Sequence, residues 1–244
     1  MPAIVLQARL DSSRLPGKSL LPLGGSPLIL RVMEALNRIP AELRVLACSE
    51  DSAAAFEPLA AEAGFELFAG PKDDVLERYC LVMRHFDIRH LIRATGDNPF
   101  VFTDAAAAIN AEALALGADY AGYSGLPTGA GVETVSARAL LRAGVEAAGT
   151  FEREHVCPYL YAHPELFLLH RPLAPLRWQC WSAARPIRLT IDTPEDYERA
   201  QALYAELDRL EKTGNLSGEE RYRGMAITGA YRNIFPETDG GAAP

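Results

Sequence analysis

Three observations predict an α/β fold built on a mostly parallel sheet with helices on both faces. Short apolar runs alternate with segments of helical period through most of the 244 residues, the pattern of βαβ units. Cationic or carboxylate side chains follow directly after three of those runs, and ligands of such sheets gather outside the carboxyl ends of strands. No stretch rich in Ser, Gly or Pro divides the chain before its end, so one large domain accounts for the length.

The first strand candidate is the apolar run Ala3–Leu6. In Leu28–Leu36, Leu28, Val32 and Leu36 fall on one helical stripe with Ile29 and Met33 beside it. Further strands are expected over Leu43–Ala47, Phe65–Phe68, His90–Arg93 and Asp119–Tyr123, with a later one over Ile187–Ile191. Ser52–Ala63 reads as helical, with Pro58 expected to kink or split it. Asp74–Phe86 is a cleaner helix, with Val75, Tyr79 and Val82 on a common face. Residues 122–181 are less regular, with Gly, Pro and aromatic turns around a helix over Ala137–Ala148. They read as an insertion into a domain spanning residues 1–210, shaping a pocket on that same domain. Residues 211–244 read as a C-terminal extension, partly flexible, whose last stretch Asp239–Pro244 has the composition of a frayed tail.

A formal charge of −8 argues against a broad nucleic-acid-binding face. No apolar stretch reaches membrane-spanning length, and the N-terminus lacks a charged segment followed by an apolar signal region. The expected location is the cytoplasm. Cys48, Cys80, Cys157 and Cys180 are scattered without zinc spacing and read as reduced packing residues. Trp178 and Trp181 read as packing residues too.

Against this acidic background, Gln7-Ala8-Arg9-Leu10-Asp11-Ser12-Ser13-Arg14-Leu15-Pro16-Gly17-Lys18 gathers three cations, two serine hydroxyls and a glycine just after the first strand. Such a loop suits a polyphosphate, whose charge must be neutralised before a nucleophile approaches. A solvated surface loop is the plainer reading.

Two acids follow later strands. In Arg93-Ala94-Thr95-Gly96-Asp97-Asn98-Pro99, Gly96 permits a tight turn and Pro99 stops the strand. In Leu189-Thr190-Ile191-Asp192-Thr193-Pro194-Glu195-Asp196, Thr193 is a good N-cap and Pro194 fits the first helical position. Asp97 and Asp192 together could hold Mg²⁺, which favours a few carboxylates plus substrate phosphates. Singly, Asp97 reads equally as a turn residue and Asp192 as a neighbour of a helix cap. A glycine-rich turn over residues 125–131 leads to Glu133, and Phe151–Tyr159 offers Arg153, His155 and Tyr159. Arg153 could capture a carboxylate, Glu133 could accept from sugar hydroxyls, and His155 could exchange protons. A helix start with scattered charges is the alternative. The adjacent acids Asp73-Asp74 read as helix N-terminal residues before Val75.

Taken in order, Gln7-Ala8-Arg9, Arg14-Leu15-Pro16-Gly17-Lys18, Asp74-Val75-Leu76-Glu77-Arg78-Tyr79, Arg93 to Pro99, Gly125-Leu126-Pro127, Arg153-Glu154-His155 and Leu189 to Asp196 form a set. The chain resembles the cytidylyltransferase family of spore-coat polysaccharide biosynthesis proteins, relatives of KDO cytidylyltransferase, over roughly Ala3 to Tyr204. The resemblance implies a Rossmann-like, GT-A-like nucleotidyltransferase fold and Mg²⁺-dependent transfer of CMP from CTP to a sugar or sugar acid. It implies that Arg9, Arg14 and Lys18 hold the triphosphate, Asp97 and Asp192 the metal, and that Arg9, Lys18, Asp97 and Asp192 are catalytic. Nucleotide contacts are further implied for Gln7, Ala8, Ser12, Gly17, Arg93 and Thr95, acceptor contacts for Glu133, Arg153, His155 and Tyr159, and a homodimer is in keeping with the relatives. Two other readings stay open: a nucleotide-sugar glycosyltransferase using Asp73-Asp74 for metal, and an inactive nucleotide-sensing protein.

Overall fold

A computed structural model describes residues 2–179 and 187–236. In chain order the elements are β1 (Ala3–Ala8), β2 (Pro22–Leu23), β3 (Ser26–Pro27), α1 (Leu28–Leu36), β4 (Leu43–Ser49), α2 (Ala53–Ala63), β5 (Glu66–Gly70), α3 (Val75–His85), β6 (His90–Thr95) and α4 (Thr103–Leu116). There follow β7 (Tyr120–Ala121), β8 (Glu133–Ser136), α5 (Ala137–Glu146), α6 (Thr150–His155), α7 (Pro158–Ala162), β9 (Leu169–His170), α8 (Pro194–Lys212) and α9 (Gly224–Ile234).

Seven strands form one sheet in the order β5-β4-β1-β6-β8-β7-β9. β5, β4, β1 and β6 run parallel, β8 is antiparallel to both β6 and β7, and β9 is parallel to β7. The chain steps from β1 outward to β4 and β5, then returns to the other side of β1 as β6. That reversal opens a crevice at the carboxyl ends of β1 and β6, the switch point where open α/β sheets bind ligands.

Alternating side chains fill both faces. Val5, Val45 and Leu91 pack with Tyr79 of α3, Leu140 of α5 and Leu160 of α7. Leu6, Leu46 and Ile92 pack on the opposite face with Ile29 of α1, Phe56 of α2 and Ile109 of α4. A third cluster joins Phe100, Phe102, Trp178, Ile191, Leu203 and Ile227, so α8 and α9 share a core with the sheet's carboxyl end. Asp104 pins this region, accepting from Trp178 Nε1 at 2.9 Å and from Gly224 N at 2.9 Å. A Cβ on Gly224 would lie 2.6 Å from Phe102 and 2.7 Å from Trp178, which explains glycine at the start of α9.

Several expectations need correction. Ile187–Ile191 is not a ladder strand. It is an extended segment held by Leu189 N to Thr128 O (2.8 Å), Thr128 N to Ile187 O (3.2 Å) and Ile191 N to Asp97 O (2.9 Å), with one isolated bridge at Arg188. Asp119–Tyr123 contributes only Tyr120–Ala121 to the sheet. Pro58 sits inside a single helix; Ala54, whose carbonyl loses its donor, is exposed, so water can satisfy it. Cys48, Cys80 and Cys157 are buried free thiols, and Trp178 is a packing residue, 2% exposed. Cys180, Trp181 and the tail Asp239–Pro244 lie outside the described residues. Among those described, no helix is long and apolar enough to cross a membrane.

Because Ile227 is fully buried, α9 is expected to belong to the cooperative core. Ile227→Ala should lower the unfolding free energy by about 2–5 kcal/mol, read from urea unfolding at fixed m-value. A change of less than about 0.5 kcal/mol, the range of surface substitutions, would place α9 outside that core.

Candidate active site

The loop after β1, Asp97 after β6 and Asp192 before α8 are brought together by backbone bonds. β1 ends at Ala8, and the loop after it turns at Gly17 with φ 66°, a left-handed conformation that glycine adopts without strain. A 3-10 turn at Lys18–Leu20 follows, steadied by Ser19 Oγ donating to Arg9 O at 3.0 Å. At the end of β6, Gly96 N donates to Gln7 O at 2.9 Å. A Cβ there would meet Ile29, Ala8 and the Gln7 carbonyl at 3.0–3.2 Å, so any side chain would press on its neighbours where the two strands approach closely. The bond from Ile191 N to Asp97 O then sets Asp192 beside Asp97. Thr193 caps α8, its Oγ1 accepting from Asp196 N while Asp196 accepts from Thr193 N, with Pro194 in the first turn.

Lys18 Nζ occupies the convergence point. It lies 3.4 Å from Asp97 Oδ2 and 3.3 Å from Asp192 Oδ1, and donates to Ile191 O at 2.6 Å. Its side chain is 12% exposed, against 29% for Asp97 and 18% for Asp192. Asp192 also pairs with Arg14 Nη2 at 3.1 Å and Arg188 Nη2 at 2.7 Å. Thr95 Oγ1 donates to Asp97 Oδ1 at 2.6 Å and accepts from Asn98 Nδ2 at 2.8 Å. Two carboxylates thus converge on a point that already holds a cation. Among the described residues no group of three or more His, Cys, Asp or Glu is placed to hold a metal. Two carboxylates short of a full cage suit a hard cation that completes its shell with phosphate and water; the donor set fits Mg²⁺.

Gln7, Ala8, Arg9, Ser12, Arg14 and Lys18 line a cavity of about 410 Å³ with Arg93, Thr95, Asp97 and Asp192. Arg78 and Val75 of α3 and His155 at the end of α6 line it as well. His155 is carried there by a tight turn in which Cys157 N donates to His155 O at 2.9 Å around Val156 at φ 75°, ψ −58°. A β-branched residue in that conformation stores strain of about 1–3 kcal/mol. Arg78, 2% exposed, was not singled out from sequence. Its Nη1 donates to Pro71 O at 2.6 Å, and its position three residues after Val75 on the buried helical stripe was the available signal.

An adjoining cavity of about 370 Å³ is lined by Arg93, Asn98, Tyr120, Tyr123, the glycine-rich segment over residues 125–131, and Glu133. Arg93 borders both spaces. Its Nη1 pairs with Glu133, which also accepts from Tyr120 and Tyr161. Burial pushes the Glu133 carboxyl up, but the Arg93 charge and these hydrogen bonds hold it below the ordinary glutamate value. Burial disfavours the Arg93 cation, and Glu133 more than restores it. Burial, joined by the Glu133 charge, pushes the Tyr120 and Tyr161 hydroxyls up.

Of the residues expected to contact the acceptor, His155 lines the first cavity rather than the second, and two more are placed elsewhere. Arg153 Nε donates to Asp74 at 2.6 Å, and its Nη1 to the carbonyls of Ala147 (2.9 Å) and Gly144 (3.3 Å). It therefore clamps α5 to the start of α3. Tyr159 is 8% exposed and donates to Glu146 at 2.7 Å. Neither borders the two cavities. Asp74 caps α3 through Glu77 N at 2.9 Å, as the helix-terminal reading requires.

A switch-point crevice with cations and paired carboxylates, flanked by a second pocket, defines the architecture of a nucleotidyltransferase. The cytidylyltransferase family model matches residues 3–221, and the chain belongs to the cytidylyltransferase family. It is 33% identical over 207 residues to the spore coat polysaccharide biosynthesis protein SpsF of Bacillus subtilis, covering 82% of this chain and 85% of that protein. Similarity extends to a 3-deoxy-manno-octulosonate cytidylyltransferase of Anaeromyxobacter dehalogenans, 28% identical over 238 residues, 83% of this chain and 97% of that one. The fold matches that of a cytidylyltransferase from Leptospira borgpetersenii with a TM-score of 0.75 at 24% identity, over 88% of this chain and 95% of that one. It also matches CMP:2-keto-3-deoxy-manno-octonic acid synthetase complexed with CTP, with a TM-score of 0.65 at 17% identity, over 84% and 99%. The family match runs past Tyr204 to residue 221, through Arg221, which is buried and paired with Asp208 and Glu211.

The largely enclosed Arg93–Glu133 pair, with side chains 13% and 21% exposed, carries a pH dependence. A depressed carboxylate stabilises the fold above its unfolded pKa of about 4.3 and loses that contribution as pH falls through the folded value. Glu133→Ala should cost about 3–5 kcal/mol at pH 7, because it strands the Arg93 charge, and the gap to the unsubstituted protein should shrink as pH falls below about 4. Urea unfolding at both pH values measures this; equal stability at pH 7 would contradict the pairing.

Proposed function

We propose that the protein transfers CMP from CTP to a hydroxyl of a sugar or sugar acid, with release of pyrophosphate, in the cytoplasm and for surface polysaccharide synthesis. The observation that carries this reading is the convergence of Lys18, Asp97 and Asp192 at the switch point, beside a second pocket, in a chain of this family.

In this mechanism Arg9, Arg14 and Lys18 neutralise the triphosphate so that an oxygen nucleophile can reach the α-phosphorus. The attacking hydroxyl forms the new P–O bond, its proton passes to solvent or a basic group, and the bond to pyrophosphate breaks. Asp97 and Asp192 would hold Mg²⁺, which when bound neutralises charge on the phosphate oxygens. Ser12 and the backbone of Ala8 and Gly17 shape the loop around the phosphates, and Thr95 orients Asp97. The acceptor occupies the pocket bordered by Asn98, Tyr123 and Glu133, with His155 reaching the crevice from the opposite wall. Holding both substrates in line supplies much of the rate enhancement.

The rival glycosyltransferase needs Asp73-Asp74 for metal, yet Asp74 is committed to the α3 cap and Arg153, which favours the transferase of nucleotidyl groups. The test is pyrophosphate release with each of the four nucleoside triphosphates, Mg²⁺ and a panel of sugars and sugar acids. Release confined to CTP supports the reading; turnover of a nucleotide-diphosphate sugar instead would overturn it.

Asp97→Ala should reduce turnover by about 10²–10³-fold or more with the far-ultraviolet spectrum preserved; unchanged activity at saturating Mg²⁺ would remove Asp97 from the metal role. Lys18→Ala should weaken CTP binding more than CMP binding in calorimetry. Equal losses for the two ligands would argue against a role at the β- and γ-phosphates.

A further inference from the structure

Gln7 and Arg93 form a pair whose consequence reaches beyond general nucleotide binding. Arg93 Nη2 donates to Gln7 Oε1 at 2.8 Å. A guanidinium offers only donors, so the amide atom facing it must be the oxygen. The two orientations open to an ordinary glutamine are reduced to one. The Gln7 Nε2 protons then point away from Arg93 with no protein acceptor among the described residues.

Arg93 is itself held. Glu133 takes its Nη1, and Tyr120 and Tyr161 fix Glu133 from the other side. The guanidinium also lies over the Tyr79 ring, 5.8 Å from its centroid. A chain of fixed groups therefore runs Tyr120–Glu133–Arg93–Gln7, from the second pocket to the crevice.

Position then decides what Gln7 meets. It lines the nucleotide crevice and not the adjoining pocket. On β1 and β6, Val5 and Leu91 pack toward α3, whereas Leu6 and Ile92 face the opposite side. By that alternation, Gln7 and Arg93 share the α3 face, where Val75 and Arg78 also border the crevice. Lys18, Arg14 and the two aspartates mark the phosphate end. The α3 side, with an apolar Val75 wall and committed hydrogen-bonding groups, is left for the nucleoside.

We propose that Gln7 reads the pyrimidine edge of the bound nucleotide as an obligate donor, with Arg93 as the positioning residue that forbids the flipped amide. The inference rests on the CTP reading above. Cytosine presents its ring N3 as an acceptor, and uracil presents N3–H as a donor. A free glutamine would flip to serve either base; a locked one favours cytosine. A buried or enclosed donor left facing another donor is costly, so the lock acts through rejection as well as attraction.

The test is the dissociation constant of CTP and of UTP, each with Mg²⁺, for the unsubstituted protein, Gln7→Met and Arg93→Met. The CTP preference should narrow about tenfold in Gln7→Met, mostly through weaker CTP binding. In Arg93→Met the freed amide should narrow the same ratio by improving UTP relative to CTP. A purely structural role for Arg93 would weaken both ligands alike and leave the ratio unchanged, which overturns the lock. If Arg93→Met does not fold, Gln7→Met decides alone, since Arg93 keeps Glu133 there; an unchanged ratio again overturns the proposal. An unsubstituted protein that prefers CTP, with variants of unaltered ratio, defeats only the lock. One that binds neither nucleotide defeats the CTP reading and the lock together.

Discussion

The ammonium of Lys18 is the interaction on which the site depends. It ties the loop after β1 to Asp97 after β6 and to Asp192 before α8, elements separated by 79 and 174 positions in the chain. Without a cation there, two carboxylates would face each other across a crevice and repel. With it, both carboxylates are drawn to one shared positive charge, 3.4 and 3.3 Å from the ammonium. The backbone supports the arrangement independently, through Gly96 N on Gln7 O and Ile191 N on Asp97 O. The geometry is therefore set before any ligand arrives, the condition for electrostatic preorganisation.

Much of this was legible in the sequence because its signals are local. Charges placed just past apolar runs mark strand ends, and Thr193-Pro194 announces the start of α8 through capping chemistry that needs no distant partner. The parts that were not legible depend on partners far along the chain. Arg153 looks free to capture a substrate until Asp74, 79 residues earlier, takes its guanidinium. Ile187–Ile191 has the composition of a strand, but its backbone is spent on the residue 125–131 turn and on Asp97, leaving no ladder. β8 is only four residues, Glu133–Ser136, and its antiparallel place beside β6 is fixed by register rather than by any periodic signal. Glu133, expected to accept from sugar hydroxyls, borders the second pocket, yet its carboxylate is already shared among Arg93, Tyr120 and Tyr161.

On the proposed reading, function divides along the sheet. The cations of the first loop and the carboxylates of Asp97 and Asp192 would then serve phosphate chemistry common to nucleotide handling. The short antiparallel strands β7 and β8, with the glycine-rich turn between them, wall the second pocket. Arg93 stands at the boundary, bordering both spaces while its charge is balanced internally by Glu133. A wall of that kind can separate two substrates and still transmit a fixed orientation from one side to the other.

The most direct test of the account is a crystal structure with CTP and Mn²⁺ in place of Mg²⁺, read by anomalous scattering. The account predicts a single strong peak between the carboxylates of Asp97 and Asp192, with triphosphate oxygens in its shell and the cytosine on the α3 side of the crevice. A peak at Asp73-Asp74, or a triphosphate bound away from the loop after β1, would contradict it.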